Sequence, residues 1–488
     1  MSLFAAYPDG IEQGRYKHAY DEMFADPGAL TPRAHCQSLY DRLSRLDAAE
    51  FARRVAHADR TLMSQGVTFT VYHDARGTER TFPVDLIPRV VVPDEWAVIE
   101  RGLTQRITAL NRFLSDLYGE AKILTEGVVP AELITSAVHY RREFVGTPVP
   151  KKIHVHICGT DLVRGDGGQW YVLEDNLRTP SGVSYVLENR SILTRVWPQL
   201  FSAYGVRPVD HYTTVLLTNL RALSPRGEAD ARVVLLTPGI YNSAYFEHAF
   251  LAQQMGIPLV QGQDMFVENN IVYAKTTRGR ERVDVIYRRI DDDFLDPEVF
   301  RPDSSLGIPG LLRAYAAGNV ALANTVGTGI ADDKVVYRYV PEIIKYYMDE
   351  DPILPNVPTY CAWEDAERDH IIANIGQLVV KAANESGGYG MLVGPQSTKA
   401  QQEEFIQKIR QNPRNYLAQP VLELSTAPCY IEGEGIVPRR VDLRPYILTG
   451  PQGVTIIPGG LTRVALQRGS YVVNSSQGGG SKDTWVLG

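Results

Sequence analysis

The stretch beginning at residue 231 most narrows what this chain can fold into. ARVVLLTPGIYNS is an apolar strand run ending in a glycine turn, YFEHAFLAQQMG is a helical run closed by Gly256, and IPLVQG is a second strand run. A helix that carries the chain back along a sheet starts the next strand in the same direction, so the run predicts a strand–helix–strand unit of a parallel sheet. RVDVIYRRID predicts a further strand of it. Such a sheet needs apolar cover on both faces. A chain of 488 residues with 44% hydrophobic and 22% charged residues can supply this, with length for two to four domains. A net charge of −7 argues against nucleic acid as the main partner. Four dispersed cysteines without a CxxC pair read as reduced thiols, and no run approaches the roughly 20 apolar residues of a membrane span. With no basic-then-apolar leader at the start, the expectation is a cytoplasmic protein without a membrane partner.

Around that unit the texture varies. Residues 1–135 read as a mostly helical scaffold or cap, with Leu39, Leu43 and Leu46 in one helical run. Ile107, Leu110, Phe113, Leu114 and Leu117 mark another, and short strands lie between the two. From Lys151, KKIHVHICGTDLVRGDGGQWYVLEDNLRTPSG reads as a hairpin and a Gly/Pro turn before the helix YVLENRSILTRVW. After Asp333-Lys334 come a helix, then QLVVKAANESGGYGMLVG as strand, glycine loop and strand. The helix QQEEFIQKIRQ and the strand YLAQPVLEL follow, then two closing strands, RRVDLRPYIL and VTIIPGGLTRVAL. The end, NSSQGGGSKDTWVLG, reads as a polar, Gly-rich segment.

Four constellations carry chemistry. Residues two apart on a strand share a face, so Glu174 and Asn176 project together while Asp175 points away; the hairpin brings Asp161 beside Glu174. Three oxygen donors on one face suit Mg²⁺ bridging phosphates, and the alternative is an exposed hairpin with ordinary carboxylates. Lys381 at a strand end, followed by Gly387, Gly388, Tyr389 and Gly390, could neutralise and wrap a phosphate; a simple hairpin would use the same glycines for its turn. Neither a Walker A loop nor a G-x-G-x-x-G fingerprint is present. Lys334 precedes a helix. Asp442 and Arg444 share a strand face near Arg463, which suits an oxyanion or an ion pair. His154, His156 and Cys158 alternate on one strand, but no fourth zinc ligand stands at a usable spacing, so they read as packed residues.

In order, these pieces resemble the motifs of ATP-grasp ligases such as prokaryotic glutathione synthetase and the ribosomal-protein glutamate ligases, with the order rotated. Asp333-Lys334, Lys381, Gly387 to Gly390, Ala418-Gln419-Pro420-Val421 and Asp442-Leu443-Arg444 keep the family order. The closing element, Asp161…Glu174-Asp175-Asn176…Thr179-Pro180-Ser181-Gly182, comes near the start instead. Texture over essentially the whole chain, including YDEMF, GVTF and GGGSKDTWVL, is similar to the circularly permuted ATP-grasp family, type 2, a group that includes glutathionylspermidine-synthase-like sequences. One departure is Gln419-Pro420, where an acidic residue often precedes the hinge.

The resemblance implies an α/β (α+β) permuted ATP-grasp fold. Residues 1–135 would be a helical N-terminal region, 136–225 the permuted closing segment, 226–332 a Rossmann-like domain that precedes the ATP-grasp in its relatives, and 333–488 the nucleotide-binding subdomains. It implies ATP and Mg²⁺ as cofactors. Lys334, Lys381, Gly387, Gly388, Tyr389, Gly390, Gln419 and Val421 would bind nucleotide, and Asp161, Glu174 and Asn176 the metal. Arg444, Arg463 and Arg178 would stabilise the transferring phosphoryl group or a substrate carboxylate. The implied activity is carboxylate–amine ligation through an acyl phosphate, with small amino-acid, peptide or polyamine-type substrates. An ATP-grasp-type kinase and a non-catalytic nucleotide-binding partner of another enzyme are the alternatives. Lys482 and Arg141, Arg142, Arg288 and Arg289 are further candidates for an acidic substrate, and a homo-oligomer or a partner ligase subunit fits the same pattern.

Overall fold

The computed structural model describes residues 2–14, 16–70, 79–383, 390–471, 473 and 479–488. The parallel sheet forms as its apolar runs predict. Its strands lie in the spatial order Ala321–Ala323, Val285–Arg288, Val233–Leu236, Leu259–Val260, every pair parallel. Each residue of Val233–Leu236 and Val285–Arg288 is buried, as continuous apolar strands covered on both faces must be. The helix Tyr245–Met255 joins two of these strands and ends at Gly256 in the left-handed region, φ +64°.

A second, antiparallel sheet carries Lys381. Its order is Tyr360–Cys361, Tyr416–Pro420, Leu378–Ala382, Leu392–Val393. A small core of Ile371, Val380, Leu392, Ile409 and Ala418 fastens it to the helix Lys399–Gln411, which begins in a Thr398/Gln401 capping box. A third sheet joins distant parts of the chain: the hairpin strands Ile157–Arg164 and Trp170–Asn176 continue into Tyr446–Gly450 and Gly453–Ile456, with Tyr446 opposite Gly159. The long helix Pro93–Leu117 buries Trp96, Ile99, Leu103, Ile107, Leu110, Leu114 and Leu117 in the main core. Among the described residues no helix is long and apolar enough to cross a membrane.

Two expectations change. The apolar run through Leu39, Leu43 and Leu46 is two helices, Gln37–Ser44 and Ala48–Ser64, because Asp47 caps the second by accepting from Glu50 N at 2.7 Å. The closing Gly-rich segment contains a core strand: every residue of Gly480–Val486 is buried. That strand pairs with Thr462–Val464 on one side and, in parallel, with Val84–Val91 on the other. Its polar side chains are matched internally. Lys482 Nζ donates to Asp85 Oδ1 (2.6 Å), Pro428 O (2.7 Å) and Ile87 O (2.9 Å), so its ammonium is held inside the protein and not offered to a substrate.

Candidate active site

The hairpin has the register that strand alternation predicts. Asp161 lies opposite Glu174 and Gly159 opposite Asn176, with a bulge after Asp161. Glu174 and Asn176 stay partly exposed. Asn176 Nδ2 donates to Gly159 O at 3.1 Å, and among the described residues its Oδ1 accepts no hydrogen bond. Asp175 goes the other way, into the core, where Arg106 reaches both its oxygens (Nε at 2.8 and 3.0 Å, Nη2 at 2.7 Å) and Thr160 donates a further hydrogen bond.

Asp161 is buried and its carboxylate is fully engaged. Arg444 grips it with two parallel bonds (Nε–Oδ1 2.5 Å, Nη2–Oδ2 2.8 Å), and Arg463 Nη2 adds a third at 2.6 Å. Arg463 Nε also donates to both oxygens of Asp442 at 3.0 Å. Burial by itself would raise the Asp161 pKa, but Arg444 and then Arg463 outweigh it and hold the group well below the usual carboxylate range. The four side chains form a buried network, not a surface ion pair. The three oxygen-bearing residues of the hairpin therefore divide: among the described residues Glu174 meets its cationic neighbours only at 3.7 Å or more and Asn176 Oδ1 accepts no hydrogen bond, while Asp161 aligns the two arginines.

The lysines converge on the same face. Asp333 caps the short helix Lys334–Tyr337 by accepting from Val335 N and Val336 N, and Arg414 holds that carboxylate at 2.8 Å. Lys334 Nζ then stands 3.7 Å from Glu174 Oε2, and Arg444 Nη2 is 4.0 Å from Glu174 Oε1. Lys381 lies diagonally across its strand pair from Gln419, which faces Val379. Its Nζ donates to Gln419 Oε1 at 2.8 Å, and Gln419 Nε2 donates on to Thr359 Oγ1 at 3.0 Å. Burial pushes the Lys381 ammonium down to about 8; Glu174 and Asp161 oppose the shift and Lys334 adds to it. Val421 follows directly on the Gln419 strand, and Gly390 closes the glycine loop at φ +64°. Gly387, Gly388 and Tyr389 lie outside the described residues.

Residues with little local signal complete the site. Asn324, at the end of the Rossmann-like sheet, accepts from His156 N (2.7 Å) and Ile157 N (2.9 Å). It also donates to Leu177 O at 2.7 Å and Arg178 O at 3.3 Å, which locks that sheet to the hairpin. Asp332 receives Leu177 N and binds Arg178 Nε at 2.7 Å. Gly329 makes room: a Cβ there would lie 2.7 Å from Arg178 Cδ. Gly182, at φ +112°, starts the helix Val183–Val196 where a Cβ would sit 2.5 Å from the Tyr446 hydroxyl.

Arg288 and Arg289, weighed for an acidic substrate, are internal instead. Arg288 serves the carbonyls of Asn324, Ile290 and Thr325, and Arg289 pairs with buried Glu247 at 2.9 Å. Arg141 pairs with Asp293 at 2.6 Å, and Arg142 stays exposed. His154 and His156 are packed in the core, where burial lowers them to about 4 and about 3, so both are neutral near pH 7. Among the described residues no group of three or more His, Cys, Asp or Glu is placed to hold a metal ion.

The sequence model of the family described as circularly permuted ATP-grasp type 2 matches residues 88–465, and the chain belongs to that family. Among its relatives, an uncharacterised protein of Synechocystis sp. is 53% identical over 96% of this chain and 97% of its own. An uncharacterised protein of Mycobacterium tuberculosis is 51% identical over 97% of this chain and 84% of its own. A Frankia alni protein, provisionally named glutamate–cysteine ligase 2-3, is 41% identical over 97% of this chain but only 54% of its own length. A solved structure, the apo form of a glutathione synthetase-like effector from Globodera pallida, superposes with a TM-score of 0.60 over 91% of this chain and 98% of that one. At 12% identity it bears on the fold alone.

Proposed function

We propose that this protein is an ATP-dependent carboxylate–amine ligase that forms an amide through an acyl phosphate. The observation that carries the reading is the convergence on one hairpin face of Glu174 and Asn176 with Lys334 at 3.7 Å and Arg444 at 4.0 Å. Hard oxygen donors beside phosphate-binding cations are what a metal-assisted phosphoryl transfer needs. The donor chemistry fits Mg²⁺, which usually takes one or two carboxylates together with phosphate oxygens and water. Glu174 and Asn176 would hold it, with Asp161 behind them as the counter-charge of the arginines. Bound there, Mg²⁺ would neutralise charge on the phosphate oxygens.

Lys334 and Lys381 bind the phosphates of ATP, and the Gln419–Val421 hinge lies beside the base. Arg444, pre-aligned by Asp161, would meet the γ-phosphoryl group, with Arg463 and Asp442 behind it fixing the charge and position of that pair. Arg444 then needs little reorganisation as charge develops. A carboxylate oxygen of the acid attacks the γ-phosphorus and ADP leaves. The amine then attacks the carbonyl carbon of the acyl phosphate, and inorganic phosphate leaves. The test is mass spectrometry after incubation with Mg-ATP and a pool of amino acids and amines. An amide product with ADP release that requires both acid and amine is expected. ADP release with a stable phosphorylated product and no amine requirement would make the protein a kinase, and no turnover with any pool would leave a nucleotide-binding partner.

A further inference from the structure

Arg178 and Asp291 come from different sheets and meet at the edge of the site. Arg178 lies two residues beyond Asn176, about 6–7 Å of extended chain. Asp291 lies three residues beyond the end of the strand Val285–Arg288, at the carboxyl edge of the parallel sheet, where α/β folds gather their ligands. Asn324 and Asp332 pin the Arg178 backbone and Nε, so its outer edge faces Asp291. The contact between them is loose: Arg178 Nη1 stands 3.5 Å from Asp291 Oδ1, beyond a good charge-assisted hydrogen bond. Among the described residues the Asp291 carboxylate makes no closer contact, and its side chain is 48% exposed. Two opposite charges, side by side and incompletely satisfied, match a zwitterion. Its carboxylate would take the planar fork of Arg178 and its ammonium the carboxylate of Asp291, with no change in net charge.

We infer that the acid this site activates is an α-amino acid held by its α-carboxylate on Arg178 and its α-ammonium on Asp291, and that it therefore reacts through a side-chain carboxylate. This rests on the ligase reading above. With both α-groups engaged, the α-ammonium is no nucleophile and the α-carboxylate is no phosphoryl acceptor. A second carboxylate, on a side chain of the length found in aspartate or glutamate, would extend from Arg178 along the strand toward Asn176, on the side where Glu174 and Lys334 lie. Its oxygen attacks the γ-phosphorus, ADP departs, and the side-chain acyl phosphate is released by amine attack.

Hydroxylamine serves as a general nucleophile for the test, since it converts an acyl phosphate to a hydroxamate and inorganic phosphate. The full-length protein with Mg-ATP and hydroxylamine is assayed against L-glutamate, L-aspartate, glutarate (no α-ammonium) and 4-aminobutyrate (no α-carboxylate). Hydroxamate is expected from one of the two amino acids, with KM at least 100-fold lower than for the two truncated acids. Asp291→Asn should raise KM for the amino acid at least tenfold without changing KM for ATP, leave KM for glutarate within twofold, and recover in part as Asp291→Glu. Because Asp291 is exposed, these variants test binding and not folding. Equal KM for glutamate and glutarate, or an Asp291→Asn effect equal on both, overturns the inference. Hydroxamate formed from other acids of a broad pool but from neither amino acid also overturns it, with the ligase reading intact. No ADP release with any acid removes both.

Discussion

Neighbouring residues on one strand should respond in opposite ways: Asp175→Asn should cost stability, and Glu174→Gln should cost metal use. Asp175 is 4% exposed and Arg106 2%, joined by three guanidinium N–H contacts. Removing one partner of a buried ion pair costs about 3–5 kcal/mol, because the other charge stays desolvated. Asparagine still offers one acceptor, and Arg106 keeps Asn356 Oδ1 at 2.8 Å, so the lower end, about 3 kcal/mol, applies. At about 2.1 cal/mol/K per residue, cooperative melting of this chain carries an entropy of about 1 kcal/mol/K, so Tm should fall by about 3 °C. Glu174 is different. Its side chain is 28% exposed, and its cationic neighbours stand at 3.7 and 4.0 Å. A half-open pair of that kind contributes about 0–1 kcal/mol, so Glu174→Gln should move Tm by less than about 1 °C. Its effect should appear in Mg²⁺ titrations of ADP release, as at least a tenfold rise in the half-saturating concentration. Differential scanning calorimetry paired with those titrations, run well below the melting range, separates the two. Equal shifts in Mg²⁺ requirement, or a larger one for Asp175→Asn, would refute the strand register as the source of the site.

Lys381, lowered to about 8 by burial, should make nucleotide binding pH-dependent if it meets phosphate as proposed. Phosphate favours the ammonium form, so ATP affinity should fall above pH 8 by up to about tenfold per unit, with proton uptake measurable by calorimetry in buffers of different ionisation enthalpy. A flat profile from pH 7 to 10 would show that Lys381 does not meet phosphate, and Lys381→Arg should abolish the slope. The same shift sets a stability trend: between about 8 and 10.5 the unfolded chain binds more protons at this position than the folded one, so its contribution to unfolding free energy rises with pH there. Lys482→Met should remove three internal hydrogen bonds and leave the Asp85 carboxylate with backbone donors but without its counter-charge, lowering Tm by about 3 °C while ATP affinity stays constant. Lost substrate binding at unchanged Tm would instead restore Lys482 as a ligand contact.

Local periodicity made much of this molecule readable. The side-chain period of two places Glu174 and Asn176 on one face and Asp175 on the other whatever the strand packs against, and a turn between apolar runs brings Asp161 alongside. The strand–helix–strand run at 231 likewise specifies a parallel sheet, because it depends on chain direction and not on distant partners. What a charged side chain does is not local. Arg444 could meet an oxyanion or a carboxylate; the neighbouring strands decide that it grips Asp161, 283 positions away. Lys482, Arg288 and Arg289 look like surface cations in sequence, yet each is desolvated and matched by carbonyls or a carboxylate brought in by the fold. The strand Gly480–Val486 was hidden for the same reason: its polar residues pair inward, so the apolar alternation that marks a strand is missing. The Arg178–Asp291 pair forms where Asn324 and Asp332 join the hairpin to the parallel sheet, and that contact has no signature in the residues around either member. Conformation follows from nearest neighbours along the chain, whereas the choice between a structural ion and a substrate-binding one follows from burial and partner distance, which tertiary packing alone sets.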